Sequence, residues 1–208
     1  MVLEWWVSLL RESMPRRVIS HNPIPDKIIY TDAATETMIL ASVVFDERDF
    51  DSAVFISEAY HEVDPDEWMA RFSETNLIYG LELLAAVRTA ADPRIDLDNK
   101  NVTFYIDSNN AKMALIKSDS KRRIIAILVR TFWAIMTRRN ITPWFERVPS
   151  KLNITDRPTR LVKLPYSIRA ARISPCQTNL LRMVSEALLL HDRGFFYPGE
   201  IVGRYYHS

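Results

Sequence analysis

The sequence predicts an α/β fold in which helices pack against a mixed β-sheet. Three observations carry that expectation. After Asp26 the apolar residues recur first at a strand period and then in strand and helix segments by turns. The 208 residues, 48% of them hydrophobic, suffice for one full domain with a sizeable core. No internal repeat or low-complexity stretch interrupts them.

Residues 2–14 have helical spacing, with Trp6, Leu9 and Leu10 on one stripe, and Pro15 stops them. The stretch to Asp26, with Pro23 and Pro25, reads as an extended lead-in, so residues 1–25 are expected to be a connector. Residues 27–32, 37–45 and 52–63 read as three strands of an antiparallel meander, with the acidic run 47–51 as a turn. No glycine precedes Gly80, so these turns must rely on Asp, Asn or less suited residues. Glu74 to Ala91 reads as a helix capped by Ser73, with Ile78, Leu81, Leu84 and Ala85 toward the core, and Asp92-Pro93 ends it. Residues 101–107 form the next strand, followed by a short helix from Ser108 to about Ile116. Lys121 to Arg138 is the clearest helix, with Ile124, Leu128, Phe132 and Ile135 at spacings of three and four. Ile141 to Val148 is a strand, Asn153 or Thr155 caps a short helix through Arg160, and Thr178 to Leu190 adds a last helix. The expected division is a connector over 1–25, the α/β domain over 26–162 and a helical extension over 163–208.

Charge is balanced overall at +1 but divided along the chain. From Asp46 to Glu74 there are 10 acids against two Arg; from Lys112 to Arg172 there are 15 Lys or Arg against three acids. Such a basic segment suits a polyanionic partner, and equally two solvated faces that balance each other. The single Cys176 excludes an internal disulfide and a cysteine-built metal site, and the four His are too scattered for a ligand motif. No run of 18 apolar residues suggests a membrane span, and no secretory h-region is seen near Met1. The expectation is an intracellular protein, in cytoplasm or nucleus, with no membrane partner.

Four acids stand out. Asp32 in YTDAA and Asp107 in YIDSNNA each close an apolar strand, so their carboxylates meet if the strands are neighbours. Glu82 lies within the apolar stretch IYGLELLA, where an acid is expensive without a partner or a cation. Asp156 stands at a helix start in PSKLNITDRPTR. Singly, each also reads as a turn residue or cap, and Glu74 rivals Glu82 as the helical acid. Together they form an all-oxygen donor set suited to Mg²⁺ or Mn²⁺, and two such ions support in-line phosphodiester attack.

The ordered set resembles the ribonuclease H family, particularly the ribonuclease H-like domains that follow reverse transcriptases in retroelements. The likeness is carried by LELLA around Glu82, YIDSNNA around Asp107 and WFERVPSKLNITDRPTR around Asp156, and covers roughly residues 26–162. It implies a five-stranded mixed sheet in order 3-2-1-4-5 flanked by helices. Asp32, Glu82, Asp107 and Asp156 then correspond to the catalytic, metal-binding acids for two Mg²⁺ or Mn²⁺ ions. The substrate implied is an RNA–DNA hybrid cut on its RNA strand to a 3′-hydroxyl and a 5′-phosphate. A front piece similar to the connector after a polymerase domain implies a reverse transcriptase domain or polymerase subunit as partner.

Lys112, Lys117, Lys121, Arg122, Arg123, Arg138 and Arg139 are candidates for phosphate contacts, and Thr35, Ser108, Asn109 and Asn110 for the sugar–phosphate backbone. A 2′-hydroxyl contact from the latter group would distinguish RNA from DNA. Trp144 and Phe145 read as strand-packing residues. Two features depart from the family: the segment after Asp32 lacks glycine, and no His lies between Arg138 and Asp156. These leave open a catalytically silent scaffold or nucleic-acid-binding module, and a nuclease with another nucleic-acid substrate.

Overall fold

The computed structural model describes Val7 and residues 24–37, 39–59, 74–164 and 170–173. The expected helix over 2–14, apart from Val7, and the expected helix over 178–190 lie outside the described residues, as does the end of the expected third strand.

Three antiparallel strands open the sheet: β1 (Lys27–Ala34), β2 (Ile39–Asp46) and β3 (Asp49–Ala59). The β2–β3 turn needs no glycine because Asp46 shapes it. Its Oδ1 accepts from the Arg48 backbone N–H at 3.0 Å, and its Oδ2 accepts from Lys27 Nζ at 2.8 Å. The turn is therefore tighter than the expected 47–51, and β3 begins at Asp49.

Helix α1 (Glu74–Ala91) then crosses to β4 (Asn101–Ile106), which pairs in parallel with β1. Helices α2 (Asn109–Lys117) and α3 (Arg123–Arg138) follow, and β5 (Thr142–Arg147) pairs in parallel with β4. A 3₁₀ turn (Ser150–Leu152) and the one-turn helix α4 (Asp156–Thr159) return the chain to β1 and β2.

The sheet order is β5-β4-β1-β2-β3-β6, which contains the expected order 3-2-1-4-5. The sixth strand, β6 (Ala170–Ile173), was not expected; the sequence suggested a helical extension from residue 163. It pairs in parallel with β3, whose free edge otherwise presents unpaired backbone groups.

On one face of the sheet, Ile29, Leu40, Val44, Val102, Phe104 and Ile106 pack with the three long helices into the main core. On the other, Val43, Phe45 and Ala53 pack with Tyr30, Phe55, Ile154 and Leu164. Every residue from Gly80 to Ala91 is buried, whereas Ile78 is 37% exposed. Helix α1 thus enters the core at Gly80, and Ile78, just before it, stays outside. Arg88 of α1 and Glu58 of β3 form an ion pair inside this packing, Nε to Oε2 at 2.8 Å.

Arg139 is not a phosphate contact. Its residue is 8% exposed, and its guanidinium donates to the carbonyls of Ala90 (2.8 Å), Asp92 (3.1 Å) and Ile95 (2.7 Å) and to Asp98. It ties the end of α3 to the chain leaving α1, and its charge is spent inside the fold. Arg139→Ala removes the donor from those three carbonyls and is expected to destabilise the protein by about 3 kcal/mol in urea denaturation. A loss below about 0.5 kcal/mol, the range of an ordinary surface substitution, would refute that role.

Candidate active site

The parallel register of β1 with β4 runs from Lys27↔Val102 to Thr31↔Ile106 and stops there. The next residue on each strand is an acid, Asp32 and Asp107. By alternation Asp32 lies on the face of Tyr30, whose ring stacks on that of Tyr105 at 4.8 Å, while Asp107 stands one residue past the end of β4, at the sheet edge. Strand β1 itself continues to Ala34, paired only with β2, so Asp32 lies within the strand rather than at its end.

Where β4 leaves, the Thr31 carbonyl loses its partner strand. Asn153 takes that place: its Nδ2 donates to Thr31 O at 3.0 Å, and its Oδ1 accepts from the Thr155 backbone N–H at 3.2 Å and from the Thr155 hydroxyl. The loop so anchored delivers α4 to the acids. Thr159 Oγ1 donates to Asp32 Oδ2 at 2.8 Å, and Thr37 Oγ1 donates to the Thr159 carbonyl. Asp156, the first residue of α4, accepts from Arg160 Nε at 2.8 Å.

Glu82 reaches the same place from α1. It is 8% exposed, and the Ser108 hydroxyl and backbone N–H both bond to its carboxylate. Ser108 also caps α2, accepting from the Ala111 N–H at 3.3 Å. Because α1 is buried on all sides here, the burial of Glu82 does not depend on helix phase. Two buried carboxylate oxygens have no hydrogen-bond partner, Glu82 Oε2 and Asp107 Oδ1.

Electrostatics tie the four acids together. Burial, helped by the charges of Asp107 and Asp156 and opposed by the Thr159 bond, pushes the Asp32 carboxyl up to about 7. Burial, then the charges of Asp107 and Asp32, push Glu82 up to about 8 against its bonds from Ser108. With the side chains as they stand, no group of three or more His, Cys, Asp or Glu among the described residues is arranged to hold a metal ion. The donor chemistry nonetheless fits a hard cation: oxygens only, with two of them buried and unpartnered.

A cleft of about 490 Å³ is lined by Tyr79, Asn110, Lys117, Asp119, Lys121 and Arg122, among others, and by none of the four acids. Two of its lining residues are near acids along the chain: Tyr79 precedes Glu82 by about one helical turn, and Asn110 follows Asp107 by three residues. Asn109 and Asn110 are exposed at the start of α2, Lys112 is half-buried, and Lys117, Lys121, Arg122 and Arg138 are exposed. Thr35 is half-buried in the β1–β2 turn; Arg123 opens α3, and its side chain is not among those described. Trp144 is 43% exposed and donates to Glu146 at 2.8 Å, while Phe145 packs with Phe104 and Phe132.

Sequence reasoning missed Thr159 and Tyr79, and treated Asn153 only as a cap. Thr159 could have been found from its spacing, three residues after Asp156 and so on the same helical face.

A sheet in order 3-2-1-4-5, three antiparallel strands followed by two parallel ones with helices against it, makes this a ribonuclease H-like α/β fold. No family model matches the chain, and neither does any curated protein. Among solved structures it is similar to ribonuclease H1 from the halophilic archaeon Halobacterium salinarum NRC-1, at 16% identity and a TM-score of 0.39, over 61% of this chain and 88% of that one. No helix among the described residues is long and apolar enough to cross a membrane.

The raised carboxyls have a consequence for stability. Between their ordinary values, 3.8 and 4.5, and about 8, the folded chain holds protons that the unfolded chain releases. Without divalent cations, stability therefore falls as pH rises through that window and levels off above it. Glu82→Gln is expected to be more stable than the parent by about 1–3 kcal/mol at pH 9 in chelator, the difference vanishing near pH 4. Superimposable urea curves at pH 9 would show that Glu82 is not charged against its burial.

Proposed function

We propose that this chain is a metal-dependent endonuclease that cleaves the RNA strand of RNA–DNA hybrids. The observation that carries the reading is the register of β1 with β4, which sets Asp32 beside Asp107, with the buried Glu82 coupled to both. Asp32, Glu82, Asp107 and Asp156 are the groups that would hold Mg²⁺ or Mn²⁺. Two such ions, when bound, supply an activated water and charge stabilisation for the leaving oxygen.

The chain's own residues prepare the site. Ser108 fixes the Glu82 carboxylate, and Thr159 fixes Asp32, leaving Glu82 Oε2 and Asp107 Oδ1 available. The cleft past Tyr79 offers Asn110, Lys117, Lys121 and Arg122 to a phosphate backbone, with Lys112, Arg123 and Arg138 as further contacts. Thr35, Ser108 and Asn109 adjoin the acids and are the groups for sugar contacts, including a 2′-hydroxyl. Hydrolysis breaks the P–O3′ bond as water adds to phosphorus. By the family resemblance it leaves a 3′-hydroxyl and a 5′-phosphate.

A retroelement origin, with a reverse transcriptase domain as partner, rests on the sequence motifs alone. A second reading, a silent nucleic-acid-binding module, is favoured by the lack of glycine in the segment after Asp32 and of His between Arg138 and Asp156.

Asp107→Asn is expected to preserve the fold by circular dichroism and lower Mn²⁺-dependent cleavage of a labelled hybrid by at least about 100-fold. Undiminished cleavage would remove the proposal, and hybrid binding without cleavage by the parent would establish the silent module. Replacing Lys117 and Lys121 together with Ala is expected to weaken hybrid binding and make it less salt-dependent. The slope of log K against log salt should fall by about 0.7–0.9 for each phosphate that is no longer neutralised. An unchanged slope would place the backbone elsewhere. Arg139→Ala should leave the slope of the folded protein intact.

A further inference from the structure

The four acids are not equally engaged. Glu82 is more than nine-tenths buried, and its Oε2 lacks a hydrogen-bond partner, as does Asp107 Oδ1. At the other end, Asp32 Oδ2 already accepts from Thr159, and Asp156 Oδ1 already accepts from Arg160 at 2.8 Å. The Arg160 side chain is 58% exposed, and its charge also acts on Glu36 and Asp32. One guanidinium is thus bonded to the acid of α4 and within electrostatic reach of those of β1 and the β1–β2 turn.

We propose that Arg160 is a positioning residue that makes the cluster two unequal cation positions. The first lies at Glu82 and Asp107, whose Oε2 and Oδ1 have no hydrogen-bond partner; the second, at Asp156, fills only when a cation displaces the guanidinium. This rests on the reading that the cluster takes divalent ions, and it adds that they bind in order.

The physical basis is competition for one carboxylate. Arginine keeps its charge at any working pH, so pH does not relieve the competition. It can be relieved by cation concentration, or by a better partner for the guanidinium. A phosphate is such a partner, because the planar fork matches two of its oxygens. The exposure of Arg160 leaves it free to turn from Asp156 to a phosphate entering the site. An exposed i,i+4 pair of this kind contributes little to stability, so its removal leaves the fold in place.

The test is a Mn²⁺ titration of the full chain without nucleic acid, with free Mn²⁺ followed by electron paramagnetic resonance at constant ionic strength. The parent is expected to bind one ion, with a second at least roughly tenfold weaker. Arg160→Gln should bring the second affinity close to the first, with an unchanged melting temperature. Arg160→Lys, which retains the charge, should keep the second site weak, and Asp156→Asn should abolish it while sparing the first. Two equal sites in the parent, or a second site indifferent to Arg160→Gln, would overturn the role of Arg160 and leave metal dependence standing. Absence of Mn²⁺ binding in the parent and every variant would overturn both.

Discussion

Strands β1 and β4 run side by side for five residue pairs and separate after Thr31 and Ile106. That parting creates the site. Had the ladder continued, Asp32 and Asp107 would be neighbours within an unbroken sheet. Because it stops, the Thr31 carbonyl needs another donor, which Asn153 supplies. Through that one amide the loop after β5 is bound to the point where the acids stand. The next hydrogen bond in the series, Thr159 to Asp32, belongs to the helix that carries Asp156. A vacancy in the backbone ladder and the placement of the fourth acid are thus one structural event.

The second constraint is electrostatic. Glu82 sits in a twelve-residue stretch of α1 that is buried on every side, among Leu81, Leu83, Leu84 and Ala85. Packing alone favours an apolar residue there. Burial raises its carboxyl well above the ordinary range, and that of Asp32 with it. A fold selected only for stability would not put charge there, so the local rule is broken at the place where chemistry is expected. A divalent cation would resolve the conflict by supplying the counter-charge that two unpartnered oxygens lack.

Much of this was legible in the residues, for identifiable reasons. The strands and long helices were readable because their apolar spacing is set by burial against one sheet. The nearness of Asp32 and Asp107 was readable only on the condition that their strands pair, since each acid alone reads equally as a turn residue or cap, and the register supplies that condition. Strand β6 was not, since its pairing is a matter of backbone groups on the edge of β3 and only four residues take part. The tertiary partners of Asn153 and Thr159 escaped for a similar reason, although the spacing of Thr159 from Asp156 was visible. Their partners, Thr31 and Asp32, lie 122 and 127 residues away, and only tertiary structure shows that a polar side chain replaces a strand.

Arginine shows most clearly where composition ceases to inform. The basic segment from Lys112 to Arg172 suggested one electrostatic surface, yet adjacent residues in it serve opposed ends. Arg138 is exposed at the end of α3, while Arg139 turns inward to three carbonyls and Asp98. Arg139 satisfies buried backbone acceptors, so its loss is a loss of fold. Arg160 is bonded to one carboxylate and stands mostly in solvent, so its bond can be exchanged. The same guanidinium is a structural staple where it is dry and fully bonded. Where it is wet and singly bonded beside a cluster of acids, it is a replaceable counter-ion. Burial and the number of partners, which no count of basic residues contains, decide between these roles.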